Sequence, residues 1–183
     1  MEASTGFAPV ARHDARVLIL GSLPGRRSLE AGEYYAHPQN AFWPIMASLF
    51  AVTGNYYQRC DGLRENRIAL WDVLRRSKRP GSLDAEIRLD SAEANDFEEF
   101  FAMHPDLVLV AFNGAKAEQL YRRFVLKAGT GGGLRCVRMP STSPAYASMP
   151  FSVKLEAWRA VLDGLLRAEQ GAGNDRIRNA GDQ

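Results

Sequence analysis

An apolar run that ends in a glycine–proline turn is the feature that most constrains the fold of this chain. Val17-Leu18-Ile19-Leu20 is continuously apolar, and Gly21-Ser22-Leu23-Pro24-Gly25 follows it directly. A short run of this kind is typical of a strand that is buried on both faces of a parallel sheet. Because α/β proteins bind ligands at the loops that follow such strands, we expect this turn to line a binding site.

Three further apolar runs have the length of buried strands, and helical patterns separate them. The four predicted strands cover Arg16–Leu20, Arg67–Trp71, Leu107–Phe112 and Leu134–Met139. The predicted helices cover 41–50, 95–103, 114–125 and 152–168, and 75–90 is expected to be a surface connection. Strands that alternate with helices predict an α/β fold in which helices cover both faces of a parallel sheet.

Length and composition limit the class of protein. With 183 residues, of which 46% are hydrophobic, the chain is expected to form a single domain over 15–169. Residues 1–14 are expected to be flexible and the polar segment 170–183 to be disordered. The sequence has no apolar run of roughly 18 residues and no secretory pattern at its start, so we expect a cytoplasmic protein without a membrane span.

Charge and cysteine content limit the chemistry. The formal net charge of +2 permits contacts with phosphate, but it is not the charge of a dedicated nucleic-acid coat protein. Cys60 and Cys136 belong to no C-x-x-C pair, and the three histidines do not have the spacing of metal ligands. We therefore expect two free thiols and no metal site.

Polar segments follow all four predicted strands. They are Gly21-Ser22-Leu23-Pro24-Gly25, Asp72, Asn113-Gly114 and Pro140-Ser141-Thr142-Ser143-Pro144. Because the carboxyl ends of parallel strands share one edge of a sheet, these segments can line one crevice. They contain no P-loop ending, no G-x-S-x-G serine and no lysine, which disfavours triphosphate binding, serine hydrolysis and Schiff-base chemistry.

The same segments resemble the motifs of the uracil-DNA glycosylase superfamily. Gly21-Ser22-Leu23-Pro24-Gly25 resembles the first motif of its mismatch-specific branch, and His37-Pro38-Gln39-Asn40-Ala41-Phe42-Trp43 is similar to that branch's H-P-x-N-x-F-W. Ser141-Thr142-Ser143-Pro144-Ala145 resembles the second motif, which enters the minor groove of DNA. With Leu70-Trp71-Asp72-Val73, Ala111-Phe112-Asn113-Gly114 and Lys154-Leu155-Glu156-Ala157-Trp158, the pattern most resembles the hypoxanthine-DNA (deoxyinosine) glycosylase group.

The resemblance implies a three-layer α/β/α sandwich around a central four-stranded parallel sheet. It also implies a monofunctional DNA glycosylase of base excision repair, which hydrolyses the N-glycosidic bond of a deaminated base in DNA without a metal or cofactor. Hypoxanthine is the favoured base, uracil is a secondary one, and a monomer is the simplest state. Two alternatives stay open: a nucleic-acid-binding module without turnover, and a hydrolase of small nucleosides.

The resemblance also implies a pocket for a base that has left the duplex. Phe42 is expected to stack on the base, although it could instead belong to the core. Asp72 can accept a hydrogen bond from a ring N–H, or it could instead cap a helix or turn. Asn113 can form hydrogen bonds with O6 and N1–H of the base, or it could instead only turn the chain. The first motif is expected to complete the pocket, partly through backbone amides, with Gly21, Ser22, Leu23 and Pro24.

Two departures from the family pattern bear on the choice of catalytic residues. The mismatch-specific branch holds the water with an Asn in its first motif, where this chain has Leu23, so Asn40 is the best remaining candidate. Asn40 could instead cap the helix that starts at Ala41. Common uracil-cleaving relatives have a His in the second motif, where this chain has Ser141, a weaker donor that fits a purine preference.

A third group of residues is expected to contact the DNA around the base. The second motif is expected to form the wedge and to grip phosphate, or else to be a turn that caps the last helix. Arg26 is expected to reach phosphate, unless it contacts only solvent. The expected DNA-contacting residues are Gly25, Arg26, Thr142, Ser143, Pro144 and Tyr146.

Overall fold

A four-stranded parallel sheet forms the centre of the protein in the computed structural model, which describes residues 3–80 and 83–162. The strands are, in chain order, β1 (Ala3–Thr5), β2 (Val17–Gly21), β3 (Ile68–Asp72), β4 (Leu74–Lys78), β5 (Glu93–Ala94), β6 (Leu109–Asn113) and β7 (Arg135–Met139). The central sheet has the order β3-β2-β6-β7, and every residue of β2, β3 and β6 is buried. The predicted parallel sheet is therefore confirmed, with β2, β3 and β6 covered on both faces. The edge strand β7 was also expected to be buried, but four of its five residues are exposed or half-buried.

Helices connect the strands of the central sheet. They are α1 (Arg26–Ala31), α2 (Phe42–Phe50), α3 (Tyr56–Glu65), α4 (Phe97–Met103), α5 (Ala115–Phe124) and α6 (151–162), with short 3-10 turns at Asp84–Glu86, Leu89–Ser91, Leu126–Ala128 and Pro144–Tyr146. Asp96 caps α4 by accepting a hydrogen bond from the N–H of Glu99 at 3.0 Å, at the predicted start of this helix. The expected continuation of the last helix to 168 and the tail at 170–183 lie outside the described residues.

Aromatic side chains fill the layers between the sheet and the helices. On one face, the ring of Trp71 in β3 lies 5.2 Å from Phe97 of α4, and Phe112 of β6 lies 5.1 Å from Tyr121 of α5. On the other face, α2 and α6 meet where the ring of Phe42 approaches Trp158. Helices on both faces of one parallel sheet give the three-layer α/β/α sandwich that the sequence led us to expect.

A second, antiparallel sheet occupies part of 75–90, which was expected to be a surface connection. Its strand β4 pairs with β1 on one side and with β5 on the other. The N-terminal segment is fixed as well, because Val10 bridges to Leu70 and the carbonyl of Phe7 accepts a hydrogen bond from the indole of Trp71. Residues 3–10 are thus paired and packed, whereas the sequence predicted a flexible segment over 1–14. The pairing was not predicted because strands this short leave no sequence pattern.

The carboxyl ends of the central strands lie in one row. The parallel register aligns Gly21 with Asp72, and it aligns Leu20 with Phe112, so that Asn113 also ends beside Gly21. The chain passes from β2 to β3 on one side, whereas β6 adds to the other side of β2. The sheet therefore has a topological switch point between β2 and β6, which is where open α/β sheets bind their ligands.

Candidate active site

A cleft of about 620 Å³ lies at this switch point. Its walls are the first loop (21–25), which follows β2, and the second loop (140–146), which follows β7. The volume is in the range of sites that hold one small ligand. The predicted site residues that line the cleft are Gly21, Ser22, Leu23, Pro24, Gly25, Arg26, Asn40, Asp72, Asn113, Ser141, Thr142, Ser143, Pro144 and Tyr146.

The floor of the cleft depends on the missing side chain of Gly21. A Cβ atom on Gly21 would collide with Oδ1 of Asp72 and would lie 3.1 Å from the hydroxyl of Tyr35. The carboxyl group of Asp72 and the hydroxyl of Tyr35 therefore converge over the end of β2. Tyr35 holds its position with a φ of +54°, a left-handed conformation that costs an L-residue roughly 1–2 kcal/mol. Packing of its ring on Phe42, with centroids 4.2 Å apart, offsets this cost.

Asp72 is a buried carboxyl group without a close counter-charge. It is 3% exposed, and its Oδ2 atom has no hydrogen-bond partner within 3–80 and 83–162. Burial and the negative charge of Asp84 raise the pKa of Asp72 to about 8, against the opposing charge of Arg79. At neutral pH the group is therefore mainly a carboxylic acid, which has one O–H donor as well as acceptor oxygens.

The first loop is bound from behind through its carbonyl groups. The carbonyls of residues 21 and 22 accept hydrogen bonds from the backbone N–H groups of residues 73 and 74, at 2.9 and 3.0 Å. Those of residues 23 and 24 accept from the buried guanidinium of Arg79. The N–H groups of Leu23 and Gly25 make no hydrogen bond within the described part of the chain. Because both residues line the cleft, these two N–H groups are candidate donors to a ligand.

Asp84 connects the first loop to the 3-10 turn that follows β4. The hydroxyl of Ser22 donates to Oδ1 of Asp84 at 2.5 Å, and the guanidinium of Arg79 lies 4.0 Å from the same oxygen. Burial raises the pKa of Asp84, whereas Ser22, Arg79 and Lys116 act in the opposite direction. Asp84 thus has the favourable partners that Asp72 lacks, and its side chain is open to the cleft.

Neutral hydrogen bonds hold the second loop. The side-chain amide of Asn113 donates to Oγ1 of Thr142 at 2.8 Å, and its carbonyl oxygen accepts from the N–H of Thr142 at 2.9 Å. The carbonyl of Thr142 accepts from the N–H of Ala41 at 3.0 Å. Both polar atoms of the Asn113 side-chain amide thus bind Thr142 rather than a base. Thr142, which is 1% exposed, fastens the loop rather than contacting DNA as expected.

Two residues of α6, one helical turn apart, bind the two ends of the second loop. The indole N–H of Trp158 donates to the carbonyl of Pro140 at 3.1 Å. The ammonium of Lys154 donates to the carbonyl of Tyr146 at 2.7 Å and lies 5.4 Å from the centre of its ring. The motif Lys154-Leu155-Glu156-Ala157-Trp158 therefore contributes to the site by holding this wall.

The two side chains predicted to be catalytic line the cleft, and each also makes a local hydrogen bond. Oδ1 of Asn40 accepts from the N–H of Phe42, the first residue of α2, at 3.0 Å, a bond that resembles the capping role considered as its alternative, although Ala41 holds the N-cap position. The hydroxyl oxygen of Ser141 accepts from the N–H of Ser143 at 3.3 Å. Asn40 keeps its NH₂ group and Ser141 keeps its hydroxyl hydrogen as donors. Gly114, with a φ of +95°, lets the end of β6 pass close to Ser141.

Phe42 does not line the cleft. Its side chain is fully buried and contacts the rings of Tyr35, Trp43 and Trp158. Tyr35, which does line the cleft, lies on the ring of Phe42. The expectation that Phe42 stacks on a base is therefore replaced by its alternative, a role in the core. The sequence pattern could not indicate that the preceding tyrosine folds over it.

Several cleft residues were not predicted from the sequence, among them Arg79, Leu83, Asp84 and Lys116. The first three fall in 75–90, where closely mixed charges and turn residues gave no sign that any side chain is buried. Arg79 is in fact 6% exposed. Lys116 lies in the first turn of α5, three residues after Asn113. Residues that follow a strand of the sheet were expected to line the site, and including one further helical turn would have added Lys116.

A family model described as the uracil DNA glycosylase superfamily matches residues 8–162, a range that includes both loops of the cleft and the residues of α6 described here. The chain belongs to the uracil DNA glycosylase superfamily. The resemblance inferred from the short motifs is therefore confirmed. The range also contains Arg79 and Asp84, which the short motifs do not cover.

Relatives and a solved structure agree with this family. Two curated relatives are both named hypoxanthine DNA glycosylase. The one from Methanosarcina barkeri is 36% identical over 153 residues, or 78% of this chain and 96% of the relative. The one from Methanosarcina acetivorans is 37% identical over 165 residues, or 85% and 96%. The solution NMR structure of a candidate uracil DNA glycosylase from Methanosarcina acetivorans has a TM-score of 0.75 at 34% identity, covering 90% of this chain and 99% of its own.

Proposed function

We propose that this protein is a monofunctional DNA glycosylase of base excision repair, that hypoxanthine in deoxyinosine is its favoured base, and that uracil is a secondary one. The observation that carries the proposal is the buried Asp72 carboxyl group on the floor of a cleft of base size, in a chain of this superfamily. Both curated relatives are named for hypoxanthine, which supports the choice of base.

The protonation state of Asp72 supports recognition of a ring N–H beside a carbonyl oxygen, the pair that deamination of adenine or cytosine creates. Hypoxanthine has a donor at N1–H beside an acceptor at O6, and uracil has the same pair at N3–H and O4. An ionised carboxylate would accept from the N–H but would repel the neighbouring oxygen. A carboxylic acid, which the pKa of about 8 favours at neutral pH, accepts from the N–H and donates its own proton to that oxygen.

The rest of the cleft supports bond cleavage. Negative charge builds on the base as it departs, and donors that are fixed in advance stabilise it. The N–H groups of Leu23 and Gly25 and the hydroxyl of Ser141 are the candidate donors. Asn40 remains the candidate to position the water, because an amide oxygen has a second lone pair besides the one that Phe42 uses.

The mouth of the cleft supports contact with DNA. Arg26 and Tyr146 line the cleft and are exposed, and Ser143 and Pro144, which also line it, are half-buried. We assign phosphate contact to Arg26 and Ser143, and the wedge to Pro144 and Tyr146. DNA with a deaminated base is then the partner, and we propose a monomer in the cytoplasm. Among the described helices, none is both long and apolar enough to cross a membrane.

A panel of duplexes tests this function. Each duplex carries one hypoxanthine, uracil or xanthine, or only normal bases, and free inosine is tested in parallel. We expect an alkali-labile site at deoxyinosine, with weaker release of uracil and no strand break before alkali treatment. Retention of the duplex without base release would instead indicate a binding module. Cleavage of free inosine alone would indicate a nucleoside hydrolase.

The role of Asn40 has a separate test. Asn40→Ala should lower the single-turnover rate by roughly a hundredfold, as expected for one positioned catalytic group. Asn40→Asp retains an acceptor for the N–H of Phe42, so it controls for loss of the helix cap. If Asn40→Ala released every base at the unmodified rate, the water-positioning role of Asn40 would be wrong.

A further inference from the structure

Two carboxyl groups line the cleft among the described residues, Asp72 and Asp84, and they have different surroundings. Asp72 is buried with an unpartnered oxygen, whereas Asp84 binds the hydroxyl of Ser22 and lies near the guanidinium of Arg79. Pairs of carboxyl groups with unlike surroundings divide acid and base roles in several hydrolases. If Asp72 binds the base as a neutral acid, Asp84 is free to act as a carboxylate.

Hydrolysis of a glycosidic bond needs an acceptor for the proton of the attacking water, and the predicted residues do not provide one. The first loop has the apolar Leu23 where the branch has a polar side chain, and the amide of Asn40 is a poor proton acceptor. His37 also lines the cleft, but its Nδ1 atom accepts from the N–H of Gln39 at 3.2 Å. A neutral ring in that state carries its proton on Nε2 and has no free acceptor.

We propose that Asp84 is a further catalytic residue, the general base that accepts the proton of the attacking water. This inference rests on the proposed glycosylase function. The water oxygen forms a bond to C1′ of the deoxyribose, and the C1′–N9 bond of deoxyinosine breaks with its electron pair leaving on hypoxanthine. One water proton passes to the Asp84 carboxylate and from there, through solvent, to the released base. The products are free hypoxanthine and an abasic site with a C1′ hydroxyl.

The surroundings of Asp84 suit this role. The side chain is part of the cleft wall, so a water molecule in the cleft can reach it. The hydroxyl of Ser22 binds only Oδ1, which leaves Oδ2 for the water. Arg79 is a positioning residue, because its buried guanidinium holds the carbonyls of Leu23 and Pro24 and lies 4.0 Å from Oδ1 of Asp84. Burial raises the pKa of Asp84, while the hydroxyl of Ser22 and the positive charges of Arg79 and Lys116 oppose this rise and favour the ionised form.

The test is the variant Asp84→Asn, assayed in single turnover on a duplex with one deoxyinosine. An Asn side chain retains an oxygen for the hydroxyl of Ser22 but cannot take a proton, so the loop stays fixed while the base is lost. We expect the rate to fall by about a hundredfold or more, with little change in duplex affinity. Asp90→Asn is the matched control, because Asp90 is exposed on the same segment and does not line the cleft. Its rate should be unchanged.

A second variant separates chemistry from folding. In Asp84→Ala, added formate should restore part of the lost rate, because a small carboxylate can occupy the space and take the proton. A structural defect would not respond to formate, so an Asp84→Ala protein that is slow and not rescued contradicts the proposal. An Asp84→Asn protein that releases hypoxanthine at the unmodified rate also overturns it and leaves the glycosylase function intact. If the unmodified protein releases no base from any duplex, the proposed function itself fails.

Discussion

The two walls of the cleft are held by different kinds of interaction. Behind the first loop, Arg79 binds backbone carbonyls and Asp84 binds a hydroxyl, so charged groups support this wall. The second loop is held mainly by the amide of Asn113 and the indole of Trp158. Lys154 adds one charged donor at its outer end, where it binds a carbonyl rather than a carboxylate.

The first wall therefore contains groups whose charge can change with pH, whereas the second wall is held mainly by groups that stay neutral. Ionisable groups near the first loop alter their interactions as pH changes, and a carboxyl group there can exchange protons with a substrate. Neutral hydrogen bonds do not respond to pH in the physiological range. We therefore propose that the first wall takes part in the chemistry and that the second wall holds the DNA.

Replacing Asp72 by Asn is expected to have the largest effect on stability, and the effect should depend on pH. In the wild type the folded protein keeps the Asp72 proton up to about pH 8, whereas an unfolded chain releases it near pH 4. The wild type therefore loses stability as pH rises from about 4 to about 8, and Asp72→Asn does not share this loss.

Between pH 5 and pH 8, the difference in free energy of unfolding should widen in favour of Asp72→Asn by a few kcal/mol in total, most steeply below pH 7. Urea unfolding of both proteins at unit intervals of pH measures it. Curves that run parallel over this range would mean that Asp72 titrates like an exposed aspartate.

Arg79→Met is expected to have the next largest effect. It leaves the carbonyls of Leu23 and Pro24 without a donor and removes the positive charge near Asp84, at a cost of about 3 kcal/mol. The melting temperature should fall by roughly 6–12 °C, and base release should fall as well. Arg76→Met on β4 is the control, because Arg76 is exposed. Equal melting temperatures for the two variants would contradict the support of the first wall by Arg79.

Asn113→Ala tests the second wall. The change leaves the N–H and the hydroxyl of Thr142 without partners and should cost about 2 kcal/mol. Because both groups are neutral, the loss should be the same at pH 6 and pH 8. Thr142→Val removes only one of the two bonds and should cost about half as much. A loss that varies with pH would show that this wall is not electrostatically neutral.

Lys154→Met is expected to have the smallest effect. The side-chain stem stays packed in α6, but Tyr146 loses the donor that holds its carbonyl, so the outer end of the second loop loosens. Duplex affinity should fall about fivefold, which corresponds to about 1 kcal/mol. Lys127→Met removes the same charge at an exposed position away from the cleft and corrects for general attraction to DNA. Equal losses of duplex affinity in the two variants would contradict a specific role of Lys154 in holding the second loop.

The sequence by itself determined the central sheet and the place of the cleft. Continuous apolar runs such as Val17–Leu20 are long enough to be recognised, and parallel strands bring their carboxyl ends together whatever lies between them. That argument was sufficient to predict that Gly21, Asp72 and Asn113 belong to one site. The motifs around Asn40 and Ser141 added the family.

Only the tertiary structure decided how these residues are used. The raised pKa of Asp72 depends on burial and on Asp84, which lies 12 positions further along the chain in a segment without a sequence pattern. The burial of Phe42 depends on Tyr35, whose left-handed backbone conformation places its ring over that of Phe42. The side-chain amide of Asn113 is hydrogen-bonded to Thr142, 29 residues away. Burial, pairing and charge are properties of neighbours in space, and a linear pattern records only neighbours along the chain.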